Sequence, residues 1–121
     1  MSESHNLGKK GEGIAADYLR NKGYKIRHQN WKSGRRELDI VAENDDFIVF
    51  IEVKTRNEDF WMPPASAVTS EKQRLIIYTA DSYLQKYDIA KESRFDVITI
   101  IYKGMSWEID HIENAFYPTL R

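Results

Sequence analysis

Four ionisable side chains, Glu37, Asp39, Glu52 and Lys54, stand in two short runs, Glu37-Leu38-Asp39 and Glu52-Val53-Lys54. Within each run the charged residues are two apart, the spacing that puts side chains on one face of a β-strand. Paired carboxylates can hold a hard divalent cation through oxygen. A lysine beside them can orient a water or neutralise charge on a phosphate. Together they would suit hydrolysis of a phosphodiester. Taken singly, Glu-x-Lys on a strand is what an ordinary surface ion pair looks like, and an isolated Glu-x-Asp carries no more weight. A site therefore requires a fold that brings the two runs together.

A β-hairpin would do so. Glu37–Asn44 and Phe47–Arg56 are both rich in Val, Ile and Phe, and Asp45-Asp46 separates them. If Asp45-Asp46 is a two-residue loop, Asn44 pairs with Phe47, Asp39 faces Glu52 and Glu37 faces Lys54. Directly opposed Cβ atoms then lie about 4.5–5.5 Å apart. A four-residue loop keeps this register, whereas a three-residue loop slips it by one and destroys the patch. The opposite face would carry Leu38, Ile40 and Ala42 against Val49, Ile51 and Val53. The charged face also carries Val41, Ile48 and Phe50, so it is at least half buried. Two carboxylates facing each other there repel unless something cationic, Lys54 or a metal ion, sits between them.

Other elements must frame this hairpin. Ile14, Ala15, Tyr18 and Leu19 recur at helical spacing, with Leu7 a heptad before Ile14. Asn6 is the expected N-cap and Gly23 the expected stop. Gly8, Gly11 and Gly13 imply a late start or a close neighbour that requires small residues. Tyr24–Trp31 is the expected first strand, followed by a basic loop, Lys32-Ser33-Gly34-Arg35-Arg36. Residues 57–68, with Pro63-Pro64, are expected to be a loop. A second helix is expected from about Thr69 to Lys86, capped by Thr69 or Ser70, with Leu75, Ile76, Thr79, Tyr83 and Leu84 on its apolar face. Phe95–Tyr102 and Ser106–Ile112 complete the set as strands. The order is α-β-β-β-α-β-β, an α/β class with a mixed central sheet flanked by helices.

Composition narrows the chemistry. With 121 residues, 41% apolar and 31% charged, the chain suits one globular domain. It has no cysteine and three scattered histidines, which excludes disulfides, thiolate nucleophiles and a Cys-based zinc site. No apolar run reaches the roughly 20 residues of a membrane span. The first residues carry no signal-peptide pattern, so a cytoplasmic location is expected. Charge is unevenly distributed. Residues 1–36 hold nine Lys and Arg against three Asp and Glu; residues 37–62 hold two against eight. A basic arm beside an acidic pocket is what gripping phosphate and holding a divalent cation both need.

The arrangement resembles the PD-(D/E)XK nuclease core, in which an Asp on one strand and Glu-x-Lys on the next follow a helix carrying a Glu. Gly11-Glu12, Asn30, Glu37-Leu38-Asp39-Ile40, Val49–Arg56 and Arg94-x-Asp96-Val97 more closely resemble the bacterial YraN family, which is similar in turn to archaeal Holliday-junction resolvases. The resemblance covers about Leu7 to Ile101, and Glu52-Val53-Lys54-Thr55-Arg56 is its most specific part. It implies a restriction-endonuclease-like core, with residues 1–121 as a single nuclease-like domain. It also implies Asp39 and Glu52 as ligands of Mg²⁺ or Mn²⁺ and Lys54 as the catalytic lysine. Glu12 would complete the acidic cluster by a metal contact or through water, and Glu37 would be a supporting acid or an alternative ligand. Leu38 stands where the motif's name has Pro, and Arg36 where the family more often has Gly. DNA is the favoured partner, in branched form by likeness to the resolvases. Those enzymes cut two strands symmetrically, which makes a homodimer the matching assembly.

Lys32, Arg35, Arg36, Arg56 and Lys72 are the candidate phosphate contacts. Trp31, Phe60 and Trp61 are candidates for stacking on unpaired bases. Arg94 and Asp96 read most simply as a charge pair at a strand start. Two rival readings compete with the nuclease: a nucleic-acid-binding module of the same fold that does not cleave, and a structural domain whose charges form only an ion-pair network. The intact Asp39, Glu52 and Lys54 favour the nuclease.

Overall fold

In the computed structural model, residues 3–59 and 68–118 are described, with side chains from residue 7 onward in the first helix. The order is α1 (Glu3–Asn21), β1 (Lys25–Ser33), β2 (Arg36–Glu43), β3 (Phe47–Asn57), α2 (Ser70–Lys86), β4 (Glu92–Lys103) and β5 (Ser106–Phe116). This is the α-β-β-β-α-β-β order expected from the sequence, and it is consistent with a nuclease-like core. The five strands form one mixed sheet in chain order. β1, β2 and β3 are antiparallel, β3 and β4 are parallel, and β4 and β5 are antiparallel. Antiparallel neighbours need only short turns, whereas the parallel pair needs a crossover, which contains α2.

Several boundaries differ from expectation. α1 begins at Glu3, so Asn6 lies within the helix and is not its cap. Lys32, Ser33 and Arg36 lie in strands, leaving Gly34 and Arg35 as a two-residue turn with Ser33 paired to Arg36. Gly34 has φ +63°, a conformation glycine adopts without the clash of a Cβ. Phe60, Trp61 and Pro63-Pro64 lie outside the described residues.

Alternation along the central strands gives the sheet two apolar faces. Ala15, Ala16 and Leu19 of α1 pack with Tyr24 on Ile40, Ala42, Val49, Ile51, Ile98 and Ile100. Ile76, Ala80 and Tyr83 of α2 pack on Val41, Ile48, Phe50, Phe95 and Val97. Thr69 caps α2 by accepting the Lys72 N–H at 3.2 Å. Leu75, assigned by periodicity to the buried face, is 46% exposed. Ile76 and Thr79 occupy the buried positions around it.

α1 approaches β3 closely at Gly11. A Cβ there would come within 2.1 Å of Thr55 Cγ2, whereas Gly8 and Gly13 face open space. The requirement for a small residue therefore lies at Gly11 alone of the three. Arg94 and Asp96 form the core of a buried network at the far end of α1. Arg94 donates to both Asp96 oxygens and to Tyr24 Oη. Asp96 also takes His111 Nε2 at 2.8 Å and the Asn114 N–H at 3.0 Å. His111 Nδ1 lies 2.9 Å from Tyr18 Oη, so the network ties α1 to β4 and β5. The charge pair read from sequence is thus a buried cluster of structural type.

Candidate active site

The β2–β3 register is the one the hairpin arithmetic requires, with Ile40 paired to Ile51, Val41 to Phe50, Ala42 to Val49 and Glu43 to Ile48. Asn44 closes the turn. Its N–H donates to Phe47 O at 3.0 Å, and its Oδ1 accepts from Asp46 N at 3.0 Å and Phe47 N at 2.8 Å. The Asn44 side chain thus closes a two-residue loop that lacks the usual Asn-Gly.

Backbone pairing ends at Ile40 and Ile51. Beyond it Asp39 Oδ2 accepts the Val53 N–H at 2.9 Å, so a carboxylate takes the place of a main-chain carbonyl. The change of face also fails here. Leu38, expected beside Ile40 and Ala42, packs instead with Val41, Ile48 and Phe50 on the α2 side. On β1 the residue between the Gln29–Ile40 and Trp31–Leu38 pairs is Asn30, in the left-handed region with φ 54°. Asn tolerates that conformation better than most residues. A break in alternation on β1, matched on β2, opens the end of the sheet and lets groups from both faces meet.

Asp39 and Glu52 meet at this opening, their carboxyl groups within hydrogen-bonding reach. Glu52 is 7% exposed. Burial, and after it the Glu52 charge, push the Asp39 pKa up from 3.8 to about 7, against the opposing pull of the Val53 N–H. Lys54 Nζ lies 3.4 Å from Glu52 Oε2. The expected Glu37–Lys54 pair does not form, because the ladder has ended. Glu37 instead lies 3.8 Å from Lys32, on the exposed rim.

Glu12 joins the cluster from α1. Burial raises its pKa, a hydrogen bond with Asn30 opposes the rise, and Glu37 and Glu52 add to it. Its sequence context gave no more than an exposed helix carboxylate. The close passage of α1 over Thr55 at Gly11 brings the next residue to the acids.

A hollow of about 170 Å³ beside Asp39 is lined by Arg35, Arg36, Glu37 and Lys72, with Ile76 and Thr79 among its walls. The hairpin turn and the first turns of α2 thereby bring three of the five candidate phosphate contacts together. Lys32 stays on the exposed rim with Glu37. Arg56 lies on β3 opposite Ile101. Trp31 is not an open stacking surface. It is half-buried, donates its indole N–H to Tyr87 Oη at 3.1 Å and meets Tyr83 edge-on. Sequence reasoning missed Tyr78, whose exposed ring lies under Arg36.

Among the described residues no three Asp, Glu or His side chains gather as a ready-made cation cage. The donor set still fits a hard divalent ion in part. Two carboxylates forced together in a buried opening supply oxygen ligands and are relieved of mutual repulsion by a cation. The remaining coordination positions would fall to water and substrate.

The sequence profile of the uncharacterised protein family UPF0102 matches residues 11–100. The chain belongs to this family, the one its motifs resemble under the name YraN. A UPF0102 protein of Phocaeicola vulgatus is 48% identical over 120 residues, covering 99% of each chain. One from Bacteroides fragilis is 45% identical over the same length, with the same coverage. A UPF0102 protein of Flavobacterium psychrophilum is 35% identical over 117 residues, covering 97% of this chain and 98% of its own. UPF0102 relatives thus match this chain nearly end to end, from α1 through β5. Among the described residues no helix is long and apolar enough to cross a membrane.

Proposed function

We propose that this UPF0102 protein is a divalent-metal-dependent endonuclease that hydrolyses DNA phosphodiester bonds, with branched DNA the favoured substrate. The observation that carries the reading is the meeting of Asp39 and Glu52, with Lys54 3.4 Å from Glu52, where Asp39 lines a hollow together with Arg35, Arg36 and Lys72. A charge cluster that served stability alone would balance its carboxylates. Here burial and then another acid push the Asp39 pKa up to about 7, an arrangement that costs stability when the group ionises and is common at functional sites.

Asp39 and Glu52 would hold Mg²⁺ or Mn²⁺. Such an ion, when bound, supplies Lewis-acid polarisation of a phosphate oxygen and acidification of water. The chain's own residues supply the rest. Asp39 is oriented by the Val53 N–H, which fixes its carboxyl group beside that of Glu52. Lys54, with a side chain 37% exposed, can turn from Glu52 to a non-bridging phosphate oxygen and stabilise charge that grows there. Glu12, whose pKa burial raises above the ordinary carboxylate value, is suited to hold a water or pass a proton. Arg35, Arg36 and Lys72 bind flanking phosphates and fix the strand's direction.

The test is a cleavage screen over single-stranded, duplex, flapped and four-way DNA, with Mg²⁺, Mn²⁺ or a chelator. Metal-dependent cleavage that Asp39→Ala abolishes supports the reading. Equal residual cleavage by wild type and Asp39→Ala assigns the activity to a contaminant and defeats it. Tight binding without cleavage of any substrate would favour the non-cleaving module.

A further inference from the structure

Two exposed apolar side chains lie on α2 beside the carboxylates. Tyr78 is 60% exposed and Leu75 is 46% exposed, while Ile76, Thr79, Ala80 and Tyr83 of the same helix are buried. The Arg36 guanidinium lies 4.4 Å from the Tyr78 ring centroid. Its Nε is buried without a hydrogen-bond partner. An N–H left unpaired in this way costs stability, and the cost is recovered if the guanidinium re-aims toward an arriving acceptor.

A second hollow, of about 330 Å³, is lined by Arg36, Glu71, Arg74, Leu75 and Tyr78. It shares Arg36 and Leu75 with the hollow that reaches Asp39. The two therefore form one continuous surface. One end has Asp39 and Glu37, the middle has Arg35, Arg36 and Lys72, and the far end has the Tyr78 ring with Arg36 over it, alongside Arg74 and Glu71. A nucleotide has the complementary order: a scissile phosphate, a flanking phosphate, then a base with a π-face and acceptor atoms on its edge.

Resting on the nuclease reading above, we infer that Tyr78 and Arg36 form a stacking platform for an unpaired base, so that the substrate carries a single-stranded nucleotide next to the phosphodiester held at Asp39. A base inside a duplex is stacked on both faces and cannot offer one to a protein ring. A splayed base can, and aromatic and Arg side chains accept it with little regard to sequence. The surface thus selects for strand state rather than for sequence.

The experiment is fluorescence anisotropy in chelator with a labelled oligo-dT, a blunt duplex of equal length and a flapped duplex. Wild type, Tyr78→Ala and Tyr78→Phe are compared, alongside sedimentation and metal-dependent cleavage of the same DNAs. Tyr78→Ala is expected to weaken oligo-dT and flap binding about tenfold. It should leave blunt-duplex binding within about twofold, and Tyr78→Phe should bind like wild type. Unchanged oligo-dT binding by Tyr78→Ala overturns the inference, as does an equal loss on both DNA forms. A shift from dimer to monomer in Tyr78→Ala also overturns it, by making this face a contact between copies. If wild type cleaves DNA while Tyr78→Ala is unaltered, the inference alone fails. If wild type neither binds nor cleaves any of the DNAs, the nuclease reading falls and takes the inference with it.

Discussion

Replacing Asp39 with Asn should stabilise the protein above neutral pH and do nothing in acid. In the fold, burial and then the Glu52 charge move the Asp39 pKa from 3.8 to about 7. The folded chain therefore binds this proton more tightly than the unfolded chain does. The resulting stability is complete below about pH 4 and is lost as pH rises through about 7. At higher pH the ionised carboxylate burdens the fold. At about 1.4 kcal/mol per tenfold change in proton affinity, the full burden is on the order of 4 kcal/mol. The opening at the end of the sheet admits water, which lowers the net effect to about 1–3 kcal/mol. Asn cannot ionise, yet its Oδ1 can still accept the Val53 N–H that now reaches Asp39 at 2.9 Å. Thermal unfolding of Asp39→Asn at pH 8 should therefore come roughly 4–12 °C above wild type. The gain should shrink to nothing by about pH 4. Millimolar Mg²⁺ at pH 8 should raise the wild-type midpoint and narrow the difference, because the cation relieves the same repulsion. A difference that is constant between pH 4 and 9, or a variant less stable than wild type at pH 8, would refute the electrostatic account of the pair.

Gly11→Ala should displace α1 from β3, because the new Cβ would clash with Thr55 Cγ2. A loss of about 1–3 kcal/mol in chemical denaturation is expected, and adding Thr55→Ser, which removes that methyl, should restore most of it. Asp96→Ala should be among the most damaging single changes, costing about 3–5 kcal/mol by leaving the buried Arg94 with only Tyr24 and the more distant Glu113, 3.7 Å away. Burial alone would raise the Asp96 pKa, but bonds from His111, Arg94 and the Asn114 N–H hold it below 3.8. Its contribution is therefore present above about pH 4 and fades as pH falls through the lowered value, which acid-unfolding curves can follow. Neutralising Lys32, Arg35 and Arg36 together should flatten the salt dependence of duplex binding by roughly 0.9 per lost phosphate contact. Lys54→Ala should keep most of the binding and lose cleavage, so a triple variant that binds normally beside a Lys54→Ala that cannot bind would reverse the roles assigned to them.

The β2–β3 hairpin was legible in the sequence because its information is local. A period of two, two apolar runs and a short polar turn leave one register that buries both apolar faces, and Asp39 and Glu52 then share one of them. The order of elements was legible for the same reason: each helix and strand carries its own periodicity, and Thr69 and Gly34 carry their own backbone preferences. The completed site was decided only by tertiary structure. Nothing local to Glu12 separates it from Asp17, an exposed acid on the same helix. It reaches the acids because Gly11 lets α1 settle against Thr55, more than forty residues away in the chain. The end of the β2–β3 ladder was equally hidden. It is marked by a carboxylate that takes the place of a main-chain acceptor. That is why Glu37 pairs with Lys32 and not with Lys54. Leu75 and Tyr78 carry the same lesson on α2. Periodicity shows that a helix has an apolar stripe. Where the stripe ends and an exposed aromatic surface begins is set by how far the sheet beneath extends.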